Sequence, residues 1–207
     1  MLRNHKRLTI ILIIFLMISG IVLYAPHFLL YATDYHKADA IIILLGPDFK
    51  ARRKEADELI KKGMADYLII PAYHKTYGVR ASGREQYLLP GLSSSKISHN
   101  TLSYPKFYED THIELIEARK TMSRYGLQSA IFVSSPYHMR RIKLIAMTVF
   151  DFGANAYYFV PTKYENAPAN VFQLTSTEWR KIRREYSKML WFLIYNTWTK
   201  YIDAVNH

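Results

Sequence analysis

The most informative segment of this chain is Ala-Ile-Phe-Val-Ser-Ser-Pro-Tyr-His-Met-Arg-Arg, residues Ala130 to Arg141. Its first four residues are apolar or β-branched, which predicts a short strand buried on both faces. Ser134, Ser135 and Pro136 then predict a tight polar turn, and residues 137–149 predict a helix. Open α/β sheets place their ligands where a strand enters a helix in this way, because the amides at the helix start favour an anion.

Strand and helix patterns alternate along the rest of the chain. Further strands are predicted at 40–45, 67–70 and 156–160, and helices at 51–62, 110–125 and 177–201. This alternation predicts an α/β fold: a Rossmann-like open, mainly parallel sheet with helices on both faces. Residues 71–108 show no regular pattern, except that 86–89 suggest a fragment of helix.

Two predicted helices begin with the spacing of a capping box. In this motif a hydroxyl residue and an acidic residue three positions later bond to each other's backbone amides. The pairs are Thr111 with Glu114 and Thr175 with Glu178.

The N-terminus predicts a transmembrane helix. Leu8 to Ala25 contains no charged residue, and Arg3, Lys6 and Arg7 precede it. A run of this length crosses a bilayer, and the positive-inside rule leaves its basic end in the cytoplasm. The alternative is a cleaved signal peptide, which is disfavoured because the apolar run is long and no convincing cleavage site follows it.

These features predict an anchor at residues 1–33 in the plasma membrane and an α/β domain at 34–207 outside the cytoplasm. The lipid bilayer is therefore one expected partner. A second apolar run, Met189 to Tyr195, is too short to span a bilayer, so it either belongs to the core or lies against the membrane.

Composition limits the classes of function. The chain has 207 residues, no cysteine and a formal charge of +11. The absence of cysteine excludes disulfides, thiolate metal sites and a cysteine nucleophile. The basic balance suits a lipid surface or an anionic small molecule. Nucleic acid is not an expected partner, because the domain is predicted to lie outside the cytoplasm.

No cofactor and no metal are predicted. The chain lacks Gly-x-Gly-x-x-Gly, a phosphate loop ending in Gly-Lys-Ser/Thr and His-Glu-x-x-His, which mark dinucleotide, nucleotide triphosphate and zinc enzymes. His112 with Glu109 or Glu114 has metal-ligating chemistry, but such residues near a helix start more often cap the helix or lie at the surface.

Four segments together resemble the envelope protein family that includes SanA, ElyC and YdcF. They occur in the order of that family, and the third is the most specific. The segments are Ala38 to Gly46 with Arg52 and Ala56, Thr111 to Glu114 with Gly126, Val133 to Arg141, and Trp179 with Arg183, Glu185 and Lys188. The resemblance implies a role in envelope and peptidoglycan integrity. For part of the family it also implies binding of S-adenosylmethionine.

The candidate site residues follow predicted strands or begin the next helices, positions that meet at one crevice of an open parallel sheet. Amides, hydroxyls and arginines there suit a phosphate or pyrophosphate. The expected ligand-binding residues are Gly46, Arg52, Thr111, Ser134, Ser135 and Arg141, to which the resemblance adds Glu185. His138 and Glu114 are the expected catalytic groups, with His138 as general acid or base because imidazole titrates near neutrality.

Most of these residues also have a purely structural interpretation. The alternatives are helix caps for Ser134 and Ser135, a packed histidine for His138, a helix-locking ion pair with Glu114 or Glu185 for Arg141, and a tight turn for Gly46.

The sequence therefore predicts a membrane-anchored envelope protein whose pocket takes a phosphorylated intermediate, either a cell-wall precursor or a lipid-linked carrier. Two alternatives stay open. One is a binding module without chemistry, for a nucleotide-like ligand such as S-adenosylmethionine. The other is a scaffold that holds membrane partners through its N- and C-terminal helices.

Overall fold

The computed structural model describes residues 2–79, 85–87 and 104–205. Its sheet has six strands in the order β4-β3-β2-β1-β5-β6. The strands are β1 (Ala38–Ile43), β2 (Ala65–Ile70), β3 (Lys75–Val79), β4 (Glu85–Tyr87), β5 (Ser129–Ser134) and β6 (Ala156–Pro161). β2, β1, β5 and β6 are mutually parallel, whereas β3 and β4 join the β2 edge as antiparallel strands. The predicted open, mainly parallel sheet is confirmed.

Helices cover both faces of this sheet. The α-helices are α1 (Leu2–Leu29), α2 (Phe49–Lys61), α3 (Asp110–Tyr125), α4 (Met139–Val149) and α5 (Ser176–Val205). Alternate side chains of β1 point to opposite faces, so Ile41 and Ile43 pack with α2 while Ile42 packs with α3 and α4. Because both faces of β1 are buried, its sequence is a continuous apolar run.

The edge of the sheet differs from the prediction at residues 86–89. Glu85–Tyr87 is the strand β4, paired with β3, and not a fragment of helix; Leu88 and Leu89 lie outside the described residues. Three residues carry too little periodicity to distinguish strand from helix, and here the antiparallel partner decides. The preceding unassigned residues form a short 3₁₀ helix, Pro71–Tyr73, and β3.

The two predicted capping boxes have different outcomes. At the start of α5 the motif is confirmed: the Thr175 amide donates to Glu178 Oε2 at 2.7 Å, and the Glu178 amide donates to Thr175 Oγ1 at 3.4 Å. At the start of α3 it is wrong, because the helix begins at Asp110 without a side-chain cap. Glu114 Oε2 instead accepts from the amide of Leu45 at 2.8 Å.

The first helix is long and apolar enough to cross a membrane. The qualifying stretch, Thr9–Leu29, has 21 residues and a mean hydropathy of 2.5. Its last residue, Leu29, is buried in a cluster with Tyr137 and Ile182. Tyr137 lies just before α4, and Ile182 lies in α5. The end of α1 is therefore packed against the α/β domain.

Candidate functional site

A pocket of about 590 Å³ opens at the carboxyl ends of β1 and β5. The chain order reverses here, since β2 lies on one side of β1 and β5 on the other, and this is where open α/β sheets bind ligands. Eight of the nine predicted site residues line the pocket. The exception is Ser134, which is fully buried behind it.

Arg52 places a buried positive charge beside the pocket. The side chain is 2% exposed, and Nη1 donates to the carbonyls of Leu44 at 2.7 Å and Leu45 at 2.8 Å. Nε and Nη2 donate to Ser135 Oγ at 3.2 and 2.9 Å. All these acceptors are neutral, and no carboxylate of the described residues lies within 4.0 Å of Arg52. One N–H of the guanidinium is left without a partner, and its charge has no direct ion pair, only the more distant charges of carboxylates such as Glu165 and Glu114.

Gly46 makes room for this guanidinium. A Cβ at position 46 would overlap Arg52 Nη2, because it would lie closer than non-bonded atoms can approach each other. Gly46 is not in the left-handed region of backbone conformation, so a tight turn is not the reason for the glycine. Its role is close approach of the Arg52 side chain to the loop after β1.

Arg141 ties three helices together. It is 2% exposed, and Nη1 donates to Glu109 Oε2 at 2.5 Å and to Thr111 Oγ1 at 2.9 Å. Nε and Nη2 donate to the two oxygens of Glu185 at 2.7 and 3.4 Å. The helix-locking interpretation therefore describes Arg141, with Glu185 as one of its expected partners and Glu109 in place of Glu114. Only one N–H of Arg141 remains for a ligand.

His138 lies between two hydroxyl groups. Nδ1 is 3.2 Å from Ser134 Oγ, and Nε2 is 3.3 Å from Thr111 Oγ1. Thr111 Oγ1 accepts a hydrogen bond from Arg141, so the hydroxyl hydrogen of Thr111 is available to donate to His138 Nε2. This order assigns the ring proton to Nδ1, which donates to Ser134.

The imidazole of His138 is uncharged at neutral pH. Burial, with the guanidinium groups of Arg141 and Arg52, lowers its pKa well below the ordinary range. A neutral ring whose Nε2 faces Thr111 acts as a proton acceptor and not as an acid. His138 lines the pocket with Thr111 Oγ1 at its Nε2, and its catalytic role stays a prediction.

The remaining predicted polar residues hold the loops of the site. Ser135 precedes the short 3₁₀ helix Pro136–His138 but makes no side-chain cap, and its Oγ receives the Arg52 guanidinium instead. Ser134 likewise bonds to the His138 ring and not to a helix amide. Glu114 holds the turn after β1 through the Leu45 amide.

Three basic residues of α5 were missed by the sequence prediction of the site. Lys181, Arg184 and Lys188 line the pocket, spaced three and four residues apart on one side of the helix. That spacing was the available signal. Arg184 and Lys188 have no ion pair within 4.0 Å among residues 2–79, 85–87 and 104–205. Burial and the nearby Arg141 charge lower the pKa of Lys188.

The carboxylates of the pocket are mostly engaged by protein groups. Lys181 Nζ lies 2.8 Å from Glu165 Oε1 and 3.6 Å from Asp48 Oδ2. Glu165 Oε2 is buried and has no hydrogen-bond partner in the described part of the chain. A ligand donor such as a hydroxyl group would satisfy this oxygen.

Comparison of the chain with protein-family models, curated proteins and solved structures finds no match. The resemblance to the SanA, ElyC and YdcF family therefore depends on the sequence segments alone. In the residues that the structure describes, no group of three or more His, Asp or Glu side chains is placed to hold a metal ion.

Proposed function

We propose that this chain is a plasma-membrane envelope protein that binds a phosphorylated intermediate of cell-wall or lipid-carrier metabolism. Its N-terminus lies in the cytoplasm and its domain outside. The observation that supports this most directly is Arg52, a buried guanidinium beside the pocket whose hydrogen bonds all go to neutral acceptors and which has no carboxylate within 4.0 Å among the described residues. A buried charge without a direct ion pair is costly, and a ligand phosphate would supply one.

The balance of charges around the pocket favours the same ligand. Glu185 is engaged by Arg141, and Lys181 is engaged by Glu165. Arg184 and Lys188 add positive charge without a carboxylate partner in the described ranges. Charge-assisted hydrogen bonds from such groups to phosphate are about twice as strong as neutral ones.

A second feature indicates what accompanies the phosphate. Glu165 Oε2 has no hydrogen-bond partner among the described residues and could accept one from a hydroxyl-rich group such as a sugar. Tyr137 lines the pocket and also packs against Leu29 at the end of α1. The pocket therefore lies close to the point where the chain would leave the bilayer, within reach of a ligand that is itself attached to lipid.

A nucleotide-like ligand such as S-adenosylmethionine is the second candidate. Phe49 and Tyr73 line the pocket, with ring centroids 6.3 Å apart at an angle of 86°. Asp48 lies beside them in the same lining. An aromatic pair next to a carboxylate suits a base and a ribose, and this ligand requires no reaction at the site.

Calorimetric titration of the full-length protein in lipid nanodiscs tests the proposal. The probes are inorganic pyrophosphate, a polyprenyl pyrophosphate and S-adenosylmethionine. The double variant R184Q/K188Q removes two pocket charges, and we expect it to weaken pyrophosphate binding by about tenfold per charge. The matched control R180Q/R183Q removes two exposed charges from the same helix outside the pocket, and we expect its affinity to equal that of the wild type.

Three results would count against a phosphate site. The first is that neither pyrophosphate binds, and the second is that both double variants weaken pyrophosphate binding equally. The third is that S-adenosylmethionine alone binds, which would favour the second candidate. A scaffold without a ligand predicts that H138A and R184Q/K188Q leave the cell envelope intact, whereas the proposed function predicts an envelope defect with the protein still folded.

A further inference from the structure

The second half of α5 carries an exposed apolar stripe. Its members are Leu190, Leu193, Ile194, Trp198 and Tyr201, each between 46% and 65% exposed. Steps of three and four residues place them along one side of the helix. The side that carries Phe192 and Tyr195 is buried in the core. Contiguous exposed apolar surface of this kind marks an interaction site.

The direction of α5 relative to α1 indicates what covers the stripe. Ile182 shares a buried cluster with Leu29, and one turn later Tyr186 Oη donates to the carbonyl of Ala25 at 2.9 Å. As α5 advances, its contact on α1 moves back toward the apolar run. α5 therefore runs antiparallel to α1 and toward its membrane-crossing part, and the stripe begins at Leu190, one turn beyond Tyr186.

The charge along this side of α5 changes at the same point. Before Tyr186 the exposed residues include Arg180 and Arg183. After it the large exposed side chains are mostly apolar and include a tryptophan and a tyrosine, with Thr197 and Lys200 as exposed polar neighbours. Basic residues favour anionic lipid head groups, aromatic residues favour the interface, and aliphatic residues favour the acyl chains. The change from basic to apolar residues along α5 therefore runs in the direction from head groups to acyl chains.

We propose that the stripe of Leu190, Leu193, Ile194, Trp198 and Tyr201 is seated in the lipid bilayer beside α1. The domain then has two membrane contacts, the anchor and the C-terminal half of α5. Because α5 also carries Arg184 and Lys188 into the pocket, this second contact fixes the pocket at a defined height above the head groups. The proposal does not depend on what the pocket binds.

Site-directed spin labelling tests this contact, and the natural chain has no cysteine to interfere. Single variants I194C and W198C of the full chain are labelled with a nitroxide in vesicles of phosphatidylcholine and phosphatidylglycerol. Collision rates with oxygen, which concentrates in the acyl chains, are compared with those of a water-soluble nickel chelate. M17C in α1 is the membrane control, and R180C on the same side of α5 is the water control.

The expected result is that labels at 194 and 198 resemble the label at 17, with at least a fivefold higher ratio of oxygen to nickel collisions than at 180. Nickel accessibility at 194 and 198 equal to that at 180 would overturn the proposal. Protection from both reagents with dipolar broadening between labels would also overturn it, because a second copy would then cover the stripe. If W198C does not fold, L190C replaces it at the start of the stripe.

Discussion

At the residue scale, the pocket depends on a hydrogen atom in place of a side chain at position 46. Any Cβ there meets the guanidinium of Arg52, which in turn holds the carbonyls of Leu44 and Leu45 and the hydroxyl of Ser135. One arginine thus connects the loops after β1 and β5. The same contacts bury its charge, and an anionic ligand would gain from that charge.

The variant G46A tests this dependence. We expect it to lower the free energy of unfolding by about 1–3 kcal/mol, because the added methyl group displaces a buried side chain. Urea unfolding of G46A, R52M and the double variant measures the coupling between the two positions. If the glycine acts through Arg52, the double variant costs clearly less than the sum of the single variants. Additive costs would show that Gly46 matters for another reason.

At the element scale, the helices on one face of the sheet are joined by a buried ionic lock. Arg141 of α4 contacts Thr111 of α3, Glu109 just before α3, and Glu185 of α5. Burial raises the pKa of Glu109, although the Arg141 charge opposes that rise. Removal of the arginine would leave the buried Glu109 and the half-buried Glu185 without their ion pair, which is more costly than the ion pair is stabilising.

The variant R141M is therefore expected to lower the free energy of unfolding by about 3–5 kcal/mol. The matched control is R184M at the same pocket, which has no ion pair among the described residues and should change stability by less than about 0.5 kcal/mol. Chemical denaturation of both variants distinguishes a structural arginine from one available to a ligand. Similar stability of the two variants would refute the assignment of Arg141 to the lock.

At the scale of the whole molecule, stability is expected to fall in mild acid. His112 packs against Tyr108 and Tyr195, and burial lowers its pKa from 6.5 to about 4. Between these values the unfolded chain binds a proton that the folded chain does not. Folding stability from this group is therefore complete above pH 6.5 and is lost as the pH falls toward 4. Burial of His138 lowers its pKa in the same direction.

Thermal and urea unfolding between pH 7.5 and 4.5 measures this loss, which for His112 amounts to about 3 kcal/mol at most. The variant H112F keeps the ring stacking and should show a smaller decrease than the wild type over that interval. H36F, which replaces an exposed histidine, should leave the decrease unchanged. An equal decrease in wild type and H112F would show that His112 does not contribute to the acid sensitivity, which His138 and the carboxylates would then cause.

The features that the sequence determined by itself are those that depend on neighbours along the chain. The apolar runs of β1 and β5 specify strands buried on both faces, the apolar run of α1 specifies a helix that can span a membrane, and Thr175 with Glu178 specifies the start of α5. Each signal lies within one element, so local periodicity or capping chemistry is enough to identify it.

The tertiary structure alone decided which side chains meet across elements. Thr111 and Glu114 have the spacing of a local cap, yet they bond to Arg141 and to the Leu45 amide. Sheet order brings the loops after β1 and β5 together, and packing of α5 across them adds Arg184 and Lys188 to the pocket. Such partners depend on distances between elements, which the order of residues along the chain does not contain.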